Sequence, residues 1–312
     1  MNLPVLPGDG IGPVVIEAAI EVLDALETGI TAVRCPFGHE AWMRDGEVLS
    51  STTERAIRAA GVALLGAGTS CADGPASPIL TLRRRLELDL LVRPALGITV
   101  VGHAWAGLYG QIEIRTDDGV TIQRVLTHSA VDRLIAYAAS LATRRLTVVD
   151  KPTVFRLAAD QFRRALTRHA PAGVIAEVVN ADAFVADVIR DPARFDVVVA
   201  ESFLSDVLSD LTAALDGGVG TAPSMSLGPH CAVFEPIHGS APRRVGESPA
   251  TVNPLGAMRA LAMLLDHIQR PVAGARLRQA LRSVRADDCT PDLGGQGTTE
   301  SYTAAVVRAI QG

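Results

Sequence analysis

Lysine is almost absent from this chain. Lys and Arg together number 29 in 312 residues, and Lys151 is the only lysine among them. Arginine stays charged at any relevant pH, whereas a desolvated lysine can shift below its usual ~10.4 and carry a proton back and forth. The one amine kept is a candidate for chemistry, set against the competing reading of a survivor of compositional bias. Cysteine is sparse too. Cys35, Cys71, Cys231 and Cys289 show no C-x-x-C spacing, so neither a zinc site nor a disulfide framework is indicated and a reducing cytoplasm fits. No apolar run approaches the ~18 residues of a membrane span, and residues 1–7 are too short and uncharged for a secretory signal. No membrane partner is expected. A net charge of −5 with no basic stripe argues against a nucleic-acid partner.

What the chain does have is an apolar strand running straight into acid: FDVVVAESFLSDVLSD, residues 195–210. Asp206 and Asp210 stand one helical turn apart and share a face. Like charges at that spacing cost an isolated helix roughly 0.2–0.5 kcal/mol, so something else must make the pair useful. A hard divalent cation, magnesium or manganese, suits two carboxylates with substrate oxygens and water completing its shell. A solvated helix face is the competing reading. The position just past a buried-type strand, where ligand sites of open α/β sheets gather, favours the cation.

At 48% hydrophobic the chain can bury a large core, and its length suffices for two lobes. Strands alternate with helices, which argues α/β. Residues 5–26 read as strand, Gly-rich turn and amphipathic helix with Pro13 near its first turn, but Gly8, Gly10 and Gly12 do not fit G-x-G-x-x-G. VALLGAG (62–68) reads as a buried strand, and the Asp-Gly in 115–129 as a hairpin turn. In SPILTLRRRLELDLLVRP (77–94), Arg83, Arg84 and Arg85 open onto a helix. Bidentate carboxylate recognition suits arginine, so Arg83 and Arg93 are candidate clamps. Tyr109 lies in a strand beside glycines, Lys151 at the end of the strand LTVVD, and Asp182 near another strand end. HGSAP (238–242) is a compact turn of the kind that can wrap a cofactor in backbone amides.

LPGDGIGP, SPILTLRRRLELDLLVRP, VVDKPTV, FDVVVAESFLSDVLSD, FEPIHGSAP and PDLGGQGTT, in that order, resemble the successive motifs of the β-decarboxylating dehydrogenases. That family includes isopropylmalate, isocitrate, homoisocitrate and tartrate dehydrogenases. The resemblance implies a two-lobed, non-Rossmann α/β fold with the active site in the cleft between lobes. Residues 1–88 plus 217–312 would form the lobe that binds the dinucleotide, and 89–216 the lobe that dimerises. It also implies a homodimer with shared active sites. Asp206 and Asp210, with Asp182 of the partner subunit, would hold the metal. Tyr109 would be the general acid, and Lys151, again across the dimer, the base-side residue. Arg83, Arg93 and Ser77 would hold substrate carboxylates, while Ile79 and Leu80 would face the C3 substituent. His238, Gly239, Ser240, Ala241, Asn253 and Asp292 would line the adenosine side of NAD or NADP.

The motifs are not matched everywhere. Gly102 stands where the family usually has a third substrate arginine, seven residues before the tyrosine, and Arg84, Arg85, Arg115 and His103 are possible replacements. Arg243 and Arg244 follow HGSAP where NAD-using members commonly have Asp, which favours NADP over NAD, because an arginine accommodates a 2′-phosphate. Thr153 and Ser202 replace asparagines, and Ser205 a glycine. The expected activity is metal-dependent oxidative decarboxylation of a 3-substituted malate, with isopropylmalate or a specialised substrate such as phosphonomethylmalate in view. A non-catalytic regulatory subunit of a heteromeric dehydrogenase is the alternative.

Overall fold

The computed structural model describes residues 1–70, 77–246 and 250–312. They form two compact units, one from Met1–Leu88 and Gly217–Gly312, the other from Asp89–Asp216. The first unit begins with β1 (Asn2–Gly8), α1 (Gly12–Ala25), β2 (Thr31–Arg34), α2 (His39–Asp45), α3 (Ser51–Ala60), β3 (Val62–Ala67) and α4 (Pro78–Arg85). Pro13 sits in the first turn of α1, where its missing N–H is no loss. Ser50 caps α3 by accepting from the Thr53 N–H, and Gly61 ends it in the left-handed conformation. The three arginines at 83–85 close α4 rather than open a helix, placing cations where the helix dipole is negative.

The second unit runs through β4 (Leu90–Ala95), β5 (Ile98–His103), β6 (Gly107–Thr116), β7 (Gly119–Val125), α5 (His128–Leu141), β8 (Arg145–Asp150), α6 (Arg156–His169), β9 (Ile175–Asn180), α7 (Ala181–Arg190), β10 (Val197–Val199) and α8 (Ser202–Leu215). The first unit then resumes with β11 (Pro223–Leu227), β12 (Ala232–Pro236), α9 (Leu255–His267), α10 (Pro271–Ser283) and α11 (Thr299–Gln311).

In the first unit the strand order is β2-β1-β3-β12-β11, parallel except where β11 meets β12. Every residue of β3 is buried, which is why it reads as an unbroken apolar run. In the second unit the order is β4-β5-β10-β8-β9, antiparallel at β4 and β5 and parallel beyond. β6 and β7 form a separate hairpin. Its turn is Asp117 and Asp118, with Gly119 paired to Thr116, one residue away from the Asp-Gly turn read from the sequence.

The core of the second unit packs Val100, Val149 and Val198 with Phe184, Phe195 and Leu208. Burying Leu208 turns one side of α8 inward and leaves Asp206 and Asp210, two positions either way, on the opposite side. Among the described residues no helix is long and apolar enough to cross a membrane.

The turn after β1 is held by Asp9, 4% exposed, whose carboxylate accepts from the backbone N–H of His39 at 2.9 Å, Glu40 at 3.2 Å and Thr69 at 2.7 Å. Asp9→Ala leaves those donors without a partner. It should lower unfolding stability by at least about 1–3 kcal/mol, read as a reduced urea midpoint.

Candidate active site

Three strands and two helices of the second unit bring the acid, base and metal candidates to two places. At the first, α8 presents Asp206, Ser209 and Asp210, and β4 and β6 bring Arg93 and Tyr109 to them. Arg93 Nη1 donates to Asp206 Oδ1 at 2.7 Å and to Ser209 Oγ at 2.8 Å. Tyr109 Oη donates to Asp206 Oδ2 at 2.8 Å. Burial and this bond to a carboxylate push the Tyr109 phenol up to about 12, so it stays protonated at neutral pH. Burial, reinforced by the charge of Asp206 and opposed by Arg93, raises Asp210 above the ordinary carboxylate range. Two carboxylates thus share one guanidinium, and a divalent cation would relieve the excess negative charge. Arg93 Nε is buried without a hydrogen-bond partner, a donor that a substrate carboxylate would satisfy.

At the second place, Lys151 follows the end of β8 and Asp182 lies in the first turn of α7, with Nζ and Oδ1 2.7 Å apart. The bond from Lys151 pulls Asp182 below the usual carboxylate range. Thr153 donates to Asn180 Oδ1 nearby. Among the described residues no three His, Cys, Asp or Glu side chains converge to hold a metal. Asp182 therefore does not join Asp206 and Asp210 within one chain.

Arg83 is already paired in the free chain. The expectation was a guanidinium available to a substrate carboxylate. It is instead 8% exposed and donates to Glu235 at 2.9 Å and Ser226 at 3.2 Å. Removing one partner of such a buried pair typically costs about 3–5 kcal/mol, so a substrate carboxylate at Arg83 would compete with a strong contact. Ser77 precedes α4 and is half-buried, as are Ile79 and Leu80, with Ile79 packed on the first unit's core.

The gap at Gly102 has a packing cause. A Cβ there would lie 2.0 Å from Ser205 Oγ and 2.5 Å from Ser205 Cβ. Ser205 is buried and its hydroxyl donates back to the Ser202 carbonyl at 2.9 Å. In this chain a side chain at 205 occupies the room a side chain at 102 would need. Two candidate replacements for the lost arginine are engaged elsewhere. His103 Nδ1 accepts from the Trp105 and Ala106 N–H groups, and burial drops its pKa to about 4, which keeps it neutral. Arg85 donates to Glu54 and to the Leu49 carbonyl. Arg84 is exposed at the end of α4, and Arg115 is exposed on the hairpin.

In the first unit, His238, Gly239, Ala241, Arg244, Asn253 and Asp292 line one cavity of about 660 Å³. Asn253 Nδ2 donates to Asp292 Oδ2 at 2.9 Å, and Arg244 Nη2 to Thr251 Oγ1 at 2.7 Å. His238 Nε2 is buried with no partner. Ser240 lies outside that wall, its hydroxyl accepting from Thr69, and Arg243 is exposed. Ile11, Val252 and the glycines and valine of 217–220 also line the cavity and were not singled out from the sequence. The Gly-rich run at 217–220 was the available signal.

A model of the isocitrate/isopropylmalate dehydrogenases matches residues 2–106 and 96–310. The chain belongs to that family. The isocitrate/homoisocitrate dehydrogenase of Thermus thermophilus is 35% identical over 98% of this chain and 97% of its own length. The 3-isopropylmalate dehydrogenase of Methanothermobacter thermautotrophicus is 30% identical, covering 100% of this chain and 99% of its own. The crystal structure of isocitrate dehydrogenase from Methylococcus capsulatus superposes with a TM-score of 0.92 at 30% identity, over 100% of this chain and 99% of that one. The protein is thus an oxidoreductase of the β-decarboxylating dehydrogenase type, with a small hydroxy acid as substrate, and its family uses NAD(P) and a divalent metal.

Installing the missing arginine alone should fail. Gly102→Arg is expected to lose more than about 1–3 kcal/mol through overpacking against Ser205, and adding Ser205→Gly should return most of it, as urea unfolding of the single and double variants will show.

Proposed function

We propose that the chain catalyses metal-dependent, NAD(P)-linked oxidative decarboxylation of a 3-substituted malate to a 2-oxo acid. The observation that carries this is the meeting of Arg93, Tyr109 and Asp206 on α8, with a buried guanidinium donor still unmet. Arg93 holds a substrate carboxylate through that free edge. Lys151 takes the proton of the 2-hydroxyl as hydride leaves C2. In the free chain its Nζ lies 2.7 Å from Asp182 Oδ1, a contact the amine gives up to reach the 2-hydroxyl. Tyr109, a protonated donor at neutral pH, returns a proton at C3 after carbon dioxide departs. Asp206 and Asp210 would hold magnesium or manganese, completed by the carboxylate of Asp182 from a second copy. When bound, such a cation supplies Lewis-acid polarisation of the oxygen at C2.

The division of these residues between two places supports a homodimer with shared sites. So does the exposed apolar surface of the second unit: Ile114, Val120 and Ile122 on the hairpin, Phe155 and Leu157 beyond Lys151, and Phe203 and Val207 on α8. Arg244 in the cavity wall, with Arg243 beside it, supports NADP over NAD. The hydrogen-bonded Asn253 and Asp292 and the unpartnered His238 nitrogen in that cavity wall support a dinucleotide bound there, its ribose toward the first two. Ile79 and Leu80 favour an apolar, isopropyl-like C3 group, while the closed Gly102 position points to a specialised relative. The free thiols of Cys35, Cys231 and Cys289 agree with a cytoplasmic setting.

That closure also favours the second reading, a non-catalytic subunit of a heteromeric dehydrogenase. Retention of Tyr109, Lys151 and the three aspartates weighs against it. The test is reduction of NADP and NAD with magnesium or manganese over a panel of isopropylmalate, isocitrate, tartrate and phosphonomethylmalate. One substrate should turn over, NADP ahead of NAD. Tyr109→Phe should slow it by ~10²–10⁴, and Lys151→Ala should abolish it. Failure of every substrate in a chain that binds metal and dinucleotide would move the assignment to the silent subunit.

A further inference from the structure

Arg124, on β7, reaches between two buried carboxylates. Its Nη2 lies 2.9 Å from Asp150 Oδ1 and its Nε 3.7 Å from Glu201 Oε1. Asp150 is 2% exposed and Glu201 3%. The guanidinium also lies 5.1 Å over the ring of Phe155. Asp150 Oδ2 has no hydrogen-bond partner. One cation lies between two buried carboxylates and holds both by contact, and the planar fork of arginine suits that arrangement.

Each carboxylate stands next to a residue of the proposed chemistry. Asp150 ends β8, and Lys151 is the next residue. Glu201 caps α8, accepting from the Phe203 and Leu204 N–H groups. It also accepts the Leu108 N–H at 3.2 Å and the Ser202 hydroxyl at 3.0 Å. Ser202 Oγ in turn accepts the Tyr109 N–H at 3.1 Å. The approach is close: a Cβ on Gly107 would stand 1.6 Å from Glu201 Oε2. Glu201 and Ser202 thus pin the strand of Tyr109 to the start of the helix that carries Asp206 and Asp210.

We infer that Arg124 is a positioning residue, linking the Lys151 segment through Asp150 to the Tyr109 segment through Glu201. The inference rests on the acid and base roles proposed for Tyr109 and Lys151. With sites shared between copies, the two ends of this link serve different sites, so one side chain sets geometry in both. Nothing in it requires Arg124 to touch the substrate.

The test compares Arg124→Gln and Arg124→Lys in the full chain, by steady-state kinetics and by amide exchange at Leu108 and Tyr109. Arg124→Gln should lower kcat roughly 10- to 100-fold while KM stays within ~3-fold. Exchange at the Leu108 and Tyr109 amides should accelerate more than in the core strands. Arg124→Lys, which keeps the charge and loses the fork, should recover part of kcat. If Arg124→Gln does not fold, the Arg124→Gln, Asp150→Asn double variant removes the stranded charge at Asp150 and is measured in its place. Unchanged kcat, a rise in KM alone, or unaltered exchange at the two amides would overturn the inference. If the wild-type chain turns over no substrate, the proposed function fails, and exchange at Leu108 and Tyr109 decides the positioning role by itself.

Discussion

Asp206 uses both of its oxygens, one for the guanidinium of Arg93 and one for the phenol of Tyr109. The rest of the second unit is arranged so that this can happen. Leu208 turns α8 so that its acidic side faces away from the core, and β4 and β6 deliver the two donors. Glu201 closes the N-terminal end of the helix and grips the strand of Tyr109 in the same contact. The carboxylate is shared by a cation and a neutral acid, and that sharing keeps the phenol protonated and leaves one edge of Arg93 unmet. Both are requirements of a site that clamps an acid and hands it a proton.

The chemistry proposed for the chain is split within one copy. Acid, clamp and two carboxylates gather on α8, whereas the lone lysine pairs with Asp182 between β8 and α7. Like charges explain why a third carboxylate is better kept apart in the free chain: the charge of Asp206 already helps raise Asp210. In the proposed dimer, a second copy supplying Lys151 and Asp182 would complete the set without crowding three acids in the free chain. Apolar side chains left exposed on the β6–β7 hairpin and on α8 would provide the adhesive surface for that proposed arrangement.

Periodicity carried much of this in the sequence. Asp206 and Asp210 share a helical face because their spacing is four, and the apolar run of residues 197–200 announced a strand ahead of their helix. Lys151 at a strand end was legible for the same reason, and HGSAP with Asn253 and Asp292 was legible only through resemblance to a family. What could not be read were pairings between distant positions. Nothing local shows that Arg83 is held by Glu235, 152 residues later. Gly102 and Ser205 look like unrelated departures until their side-chain space is seen to be one volume. His103 looked like a spare cation and proved to be a buried acceptor for its own loop. Burial decides each of these, and burial is a property of tertiary packing.

The most direct test of shared sites is subunit complementation. Tyr109→Phe chains, at most about 1% active alone, and inactive Lys151→Ala chains are mixed, unfolded and refolded together. A site that takes Tyr109 from one copy and Lys151 from the other is intact once in every mixed dimer, so random pairing restores about a quarter of wild-type activity. If no activity returns although mixed dimers form, each site draws its acid and base from a single chain, and the account of a site completed by a second copy is wrong.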